Sequence, residues 1–382
     1  MRFTLDDSSL SSDAREEAVA ADKLPAVWPL DPHTRAKHVI LHKYLHAWLP
    51  IIAHHNSRVL FFDGFAGPGI YAGGEEGSPV IAMRALIEHA HLAKITAEVH
   101  FVFFEADPKR AAKLAEVVEP YRAKLPPNAS CSVHHGSCSE LLRELLDSLD
   151  ANKRQLAPSL VFIDPFGVSD VPMTLVRRIL ATRSCEVMIN FMISYAHRFI
   201  ATKEFEPHLD AIFGTPTWRQ GQAMAGPQRM AFLRQLYLSE LSRADVSGSA
   251  RYVRAFTMFD KVNKPIYDLV FATNHAVGID RMKDAMWKVD AAGGERFSDA
   301  TDPEQSTLLS APDVHDSGLI HMLRTTCAGQ TLRWRDVEER VRLSPFRVLK
   351  RPIQKAAKDP TQGITIKSSS KGISDDAVIS FA

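Results

Sequence analysis

YVRAFTMFDKVNKPIYDLVFATN occupies residues 252–274. Two β-prone runs, 252–260 and 265–274, are separated only by Lys261, Val262, Asn263 and Lys264. Parallel neighbours need a crossover of about a dozen residues or more. Four residues permit a hairpin turn, so the two runs read as an antiparallel pair. The chain upstream reads differently. Five short runs rich in Val, Ile and Phe lie at 58–63, 99–107, 131–136, 159–167 and 185–192. Helix-compatible stretches such as SPVIAMRALIEHAHLA separate them. Apolar strands alternating with helices imply a parallel sheet covered on both faces. The expected fold class is therefore α/β, with seven strands and an antiparallel terminal hairpin.

The rest of the chain divides around this sheet. Residues 1–28 read as a mobile segment and 29–292 as the sheet domain. Within the domain, HTRAKHVILHKYLHAWLPIIAHH carries a helical stripe of Val39, Leu41, Leu45, Trp48, Leu49 and Ile52. Residues 194–250 exceed a simple crossover and read as a helical insertion. A polar linker is expected at 293–317, then a domain at 318–382 with helix, strand, helix, helix and hairpin, the order of a winged helix. The 382 residues are 45% hydrophobic, enough apolar material for a sizeable core. Residues 1–24 lack the apolar core of a secretory signal, and no run approaches the roughly 18 apolar residues of a membrane span. Cys131, Cys138, Cys185 and Cys327 form no CxxC pair and read as reduced thiols in a cytoplasmic protein. No metal site is expected. His38, His42 and His46 share a helix face but lack converging partners, so they read as a solvated or partly packed face.

FFDGFAGPG, residues 61–69, ends the first strand on Asp63 and follows it with Phe65, Gly67 and Gly69 in D-x-F-x-G-x-G spacing. In doubly wound sheets ligands bind outside the carboxyl ends of the strands. A carboxylate there suits a cofactor bearing positive charge or N–H and O–H donors. Small residues let its backbone approach the ligand. A dinucleotide fingerprint would place its third glycine where Ala72 stands, and no P-loop occurs. Glu105 ends the second strand, where a carboxylate can accept two ribose hydroxyls. Asp107 reads as the N-cap of the next helix. After the third strand, Ser137 is placed either to hold an adenine amine or to cap a helix.

VFIDPFG puts Asp164, Pro165, Phe166 and Gly167 directly after the fourth strand. An exocyclic amine on a base is a poor nucleophile because its lone pair is delocalised. A carboxylate and a carbonyl that accept its hydrogens return the lone pair to nitrogen, and an aromatic ring stacks on the base. Asp164, Pro165 and Phe166 are the catalytic candidates. Asp63, Phe65, Gly67, Gly69, Glu105 and Ser137 are the cofactor candidates. Asn190, a polar residue in the fifth strand, is either structural or pocket-lining. Net charge is +1, yet residues 333–371 hold 11 Lys or Arg against 4 Asp or Glu. That local excess suits the phosphate backbone of RNA or DNA. Trp334 and Phe346 read as core.

The strand pattern resembles that of class I S-adenosylmethionine (SAM)-dependent methyltransferases, a Rossmann-type sheet. The DPFG loop is similar to the [DNS]-P-P-[YFW] loop of amino-group methyltransferases and to the form in tRNA guanine-N2 dimethyltransferases. DPHTRAKHVILHKYLHAWL, FFDGFAGPGIYAGGEEGSPVIA, VFIDPFG, DLVFATNHAVGIDRMKDAMWKVD and SPFRVLKRPIQKAAKDPTQGI together resemble the three-Cys-motif partner protein family. That resemblance implies SAM as cofactor and a three-Cys-motif protein as partner, and it leaves the substrate open. The expected activity is SAM-dependent methylation of a base amine in RNA or DNA. Alternatives are a non-catalytic nucleic-acid or partner-binding module on the same fold, and a NAD-dependent oxidoreductase.

Overall fold

The first strand, β1 (Arg58–Asp63), lies inside an eight-stranded sheet in this computed structural model, which describes residues 27–165, 171–301, 311–370 and 372–382. The others are β2 (Glu98–Glu105), β3 (Ala129–His135), β4 (Ser159–Ile163), β5 (Cys185–Phe191), β6 (Tyr252–Phe259), β7 (Pro265–Thr273) and β8 (Arg296–Ser298). Their order is β3-β2-β1-β4-β5-β7-β6-β8. The first five strands pair in parallel. The last long strand, β7, is antiparallel to both β5 and β6. The hairpin expected from the four-residue turn therefore forms, and the α/β methyltransferase-like, Rossmann-type sheet is the observed one. The short strand β8 lies within the stretch expected as a linker and extends the sheet beside β6.

Alternation along each strand sends side chains to two apolar layers. Phe61, Phe101, Phe103 and Phe162 enter one layer with α1 (Pro32–His55), α2 (Ser78–Ile87) and α9 (Ala276–Val289). Phe62, Val102, Phe104, Val161 and Val187 enter the other with α4 (Cys138–Ala151) and α5 (Met173–Ala181). On the first layer's side, α3 (Pro108–Arg122) contributes Leu114 and Val118. The insertion adds α6 (Ile193–Phe199), α7 (Glu206–Phe213) and α8 (Gly226–Leu241) to the second layer. The stripe expected on α1 needs one correction. Val39 is exposed, and Ile40 and Tyr44 are buried in its place.

The C-terminal part has its own core of Leu319, Leu323, Trp334, Val337, Ile353, Ile379 and Phe381. Its elements are α10 (Ala311–Thr326), β9 (Thr331–Arg333), α11 (Trp334–Leu343), α12 (Lys350–Ala356), β10 (Ile364–Lys367) and β11 (Val378–Phe381). The three strands form a separate antiparallel sheet in the order β10-β11-β9. Buried Lys283 of α9 joins this part to the sheet domain. Its ammonium donates to the carbonyls of Val341 at 2.8 Å and Phe346 at 2.5 Å. Beside it, Arg342 reaches Asp280 at 3.2 Å, and Glu339 accepts from Tyr252 Oη at 2.8 Å.

Candidate functional site

The carboxyl ends of β1, β2, β4 and β5 bring most of the expected residues into one region. Asp63 ends β1 in register with Phe162 of β4. Its side chain is fully buried. Oδ1 accepts the Phe65 amide at 3.2 Å. Oδ2 is buried without a hydrogen-bond partner among the described residues. Burial raises its carboxyl to about 7, opposed by the nearby Ser78 side chain, which stands outside hydrogen-bond geometry. Asp164 nearby adds to the rise.

The loop after β1 is fastened to both neighbouring strands. The Gly64 amide donates to Phe162 O at 2.8 Å, and Ala66 donates to Phe104 O at 2.9 Å. The Gly67 amide donates to Glu105 Oε2 at 2.9 Å, so the two acid-bearing strand ends share one hydrogen bond. The other oxygen of Glu105 accepts the Asp107 amide at 2.8 Å and Arg110 Nε at 3.0 Å. Gly67 and Gly69 have φ of +60° and +76°, which favours glycine. A Cβ on Gly69 would stand 2.8 Å from Leu114 Cδ1, and one on Gly64 would stand 2.4 Å from Cys138 Sγ. The sequence reading assigned Gly67 and Gly69 to ligand approach. Packing of the chain on itself already demands Gly69, as it does Gly64.

Asp164 follows β4. One carboxylate oxygen forms an ion pair with Lys37 of α1, and the other accepts Asn190 Nδ2 at 2.8 Å. With Nδ2 committed to the carboxylate, Asn190 Oδ1 is buried without a donor among the described residues. Sequence reasoning missed Lys37. It is 4% exposed and its ammonium stands 5.4 Å from the Tyr267 ring centroid. Its position was a signal. Residues 37, 41, 44, 45 and 48 follow the helical period, so Lys37 lies in register with the buried stripe. His38 is buried against Tyr71, at 5.7 Å between ring centroids. Burial lowers its imidazole to about 3, helped by the adjacent Lys37. Of the solvated or partly packed face expected for His38, His42 and His46, the last two are half-buried and His38 is a neutral, fully packed ring.

Other expected residues fall outside this convergence. Phe65 packs against the second apolar layer. Ser137 Oγ accepts the Glu140 amide at 3.3 Å and donates to Glu140 Oε2 at 3.0 Å, a capping arrangement for α4. Asp107 is the N-cap of α3, accepting the Arg110 amide at 2.8 Å. Phe166 lies outside the described residues. Among the described residues, no group of three or more His, Cys, Asp or Glu is arranged to hold a metal ion. Nor is any helix long and apolar enough to cross a membrane.

Comparison with solved structures finds likenesses to methyltransferases. Trm1 from Pyrococcus horikoshii, in complex with S-adenosyl-L-methionine, is 11% identical with a TM-score of 0.36, covering 97% of this chain and 92% of that one. Human methyltransferase-like protein 13, in complex with SAH, is 12% identical with a TM-score of 0.32, covering 73% and 98%. A putative O-methyltransferase from Klebsiella pneumoniae is 13% identical with a TM-score of 0.30, covering 68% and 96%. No family model matches the chain, and no curated protein matches it. The methyltransferase-like fold rests on the strand order of the sheet, not on these likenesses.

Proposed function

We propose that the protein is a SAM-dependent methyltransferase acting on an amino group of a nucleic-acid base. One observation carries the reading. Two buried oxygens that lack donors among the described residues, Asp63 Oδ2 and Asn190 Oδ1, lie at the carboxyl edge of the sheet, with Asp164 bonded to Asn190. Native interiors rarely leave buried polar atoms unpaired. Acceptors awaiting donors fit ligands that bring N–H and O–H groups.

When bound, SAM supplies an electrophilic methyl group on its sulfonium. Asp63 would hold the cofactor's ammonium or amine donors. Glu105 Oε2 accepts one hydrogen bond from Gly67 and retains a lone pair for a ribose hydroxyl. Asn190 Oδ1 and Asp164 would accept the hydrogens of the target amine and concentrate its lone pair on nitrogen. Lys37 fixes the carboxylate of Asp164 from one side and Asn190 fixes it from the other. The element order of residues 311–382 supports a winged-helix-like module. The three-Cys-motif resemblance supports a partner protein beside it.

The Lys37–Asp164 pair also supports a second reading. A carboxylate already engaged at both oxygens fits a binding module that holds SAM without transferring its methyl group. Calorimetric titration with SAM, S-adenosylhomocysteine and NAD separates the cofactor classes. SAM is expected to bind, and Asp63→Ala is expected to weaken it by about tenfold or more, the equivalent of at least ~1.4 kcal/mol. Binding of NAD alone would refute the cofactor. Transfer of labelled methyl from SAM to pooled RNA and DNA is expected for the wild type and lost in Asn190→Ala and Asp164→Ala. SAM binding with no transfer to either pool would select the binding module.

A further inference from the structure

The acids and cations of the C-terminal part are unequally engaged. Its acids are occupied. Glu339 is bonded to Arg251 and Tyr252 of the sheet domain, and Glu338 lies 3.4 Å from Arg342. Asp336 lies 3.8 Å from Arg335, and Asp359 accepts the Thr361 amide at 3.0 Å. Six cations are exposed and have no ionic partner among the described residues: Arg324, Arg333, Arg351, Lys355, Lys358 and Lys367. Two further exposed acids precede β11: Asp375 lies 3.8 Å from Lys350, and Asp376 accepts from Ser374 Oγ. The six cations face solvent without a carboxylate at ion-pair distance among the described residues.

Two of the six share a sheet face. Arg333 of β9 and Lys367 of β10 both stand opposite Val378 of β11. Residues directly opposite in an antiparallel sheet point to the same face. The neighbouring row on that face is Thr365, Ser380 and Thr331. Ser380 and Thr331 hydroxyls are 2.9 Å apart. The intervening residues, Ile364, Ile379 and Phe381, point inward to the core. The outward face is therefore a cation row beside a hydroxyl row. The three strands contain no Asp or Glu. Arg333 and Lys367 are two strand spacings apart, about 9.5 Å. That separation suits successive groups of a polymeric anion better than one compact phosphate.

We propose that this outer face of the C-terminal sheet binds the phosphodiester backbone of a nucleic acid, with Arg333 and Lys367 on phosphates and Thr331, Thr365 and Ser380 donating from the hydroxyl row. Such contacts position a polymer without reading its sequence. The proposal goes beyond methyl transfer and stands without it.

The test is fluorescence anisotropy of the full chain with labelled single-stranded RNA, single-stranded DNA and duplex DNA across a salt series. Binding is expected to weaken steeply with salt. The double variant Arg333→Gln/Lys367→Gln is expected to weaken binding by about tenfold or more and flatten the log–log salt slope by about 1.8 on duplex or about 1.4 on single strands. Lys261→Gln/Lys264→Gln, which removes two cations from the β6–β7 turn, is expected to leave binding unchanged. The tightest of the three probes identifies the polymer. Absence of binding at low salt would overturn the proposal. So would wild-type affinity in the Arg333/Lys367 variant, or competition by polyglutamate as strong as by nucleic acid. SAM titration of the same variant is expected to match the wild type, so loss of this surface is distinguishable from loss of the cofactor site.

Discussion

Lys37 and Lys283 are both almost wholly buried, and their surroundings differ. Lys283 sits at the joint, where its ammonium meets main-chain carbonyls of Val341 and Phe346. The ammonium's own contacts are all made by the chain, although Asp280 Oδ1 nearby is also buried without a partner among the described residues. Burial lowers its amine to about 7. Lys37 meets the carboxylate of Asp164 at the strand-end site, with Asn190 on the other side. There the network is incomplete, because Asn190 Oδ1 and nearby Asp63 Oδ2 have no donors among the described residues. A buried charge closed off by its own chain holds the structure together. A buried charge network with open acceptors is prepared for something else.

Three measurements can break or sharpen this contrast. The largest effect is expected at Lys37. Lys37→Met strips Asp164 of its counter-charge and should cost about 3–5 kcal/mol in urea unfolding, as for other half-removed buried pairs. Lys37→Met/Asp164→Asn should recover most of that stability and still fail in methyl transfer. If the single variant is as stable as the wild type, the pair is not a buried one. At the joint, Lys283→Met keeps the aliphatic stem but leaves carbonyls unpaired, and should cost about 3 kcal/mol. SAM binding should be unaffected, since the carbonyls belong to the C-terminal part. A loss of SAM affinity there would erase the distinction between the two lysines.

The smallest effect concerns pH. Burial raises Asp63 to about 7, far above the ordinary carboxyl value near 3.9. Between those values the folded chain holds a proton that the unfolded chain has released. Stability contributed by this group therefore falls as pH rises from about 4 to about 7. Asp63→Asn removes that dependence and should gain about 2 kcal/mol over the wild type at about pH 8, with little gain near pH 4. SAM affinity of the wild type should rise over the same range, because a cationic ligand favours the ionised carboxylate. Equal melting curves of the two proteins at about pH 8 would contradict the buried, proton-holding state of Asp63.

Much of the fold was legible because its signals are local. The Lys261–Lys264 turn is too short for a crossover, and each parallel strand is a compact apolar run. Asp63, Glu105 and Asp164 were legible because strand ends are where carboxylates stand out against apolar residues. Asp107 was legible as a cap from the proline and helix that follow it. Lys37 was not, since its partner Asp164 is 127 residues away and a helical lysine ordinarily faces water. The glycines were half-read. Their types were right, but the contacts with Leu114 and Cys138 are long-range and leave no mark in the motif. β8 was missed because three residues carry too little periodicity to register.

The helix that carries Lys37 is packed against α2 and α9, the second of which lies more than two hundred residues downstream. Between them, β7 must slot between β5 and β6 before the sheet is whole. At translation rates of about 5–20 residues per second, the opening helix emerges tens of seconds before its last neighbour exists. Such distant pairings slow folding. During that interval β5 offers an unpaired apolar edge, and Asp164 can meet Lys37 only if α1 has waited nearby. The strand-end site is therefore assembled late in the chain's own synthesis. A ribosome-bound intermediate ending before residue 274 should lack it altogether, with its aromatic strands left to chaperones or to aggregation.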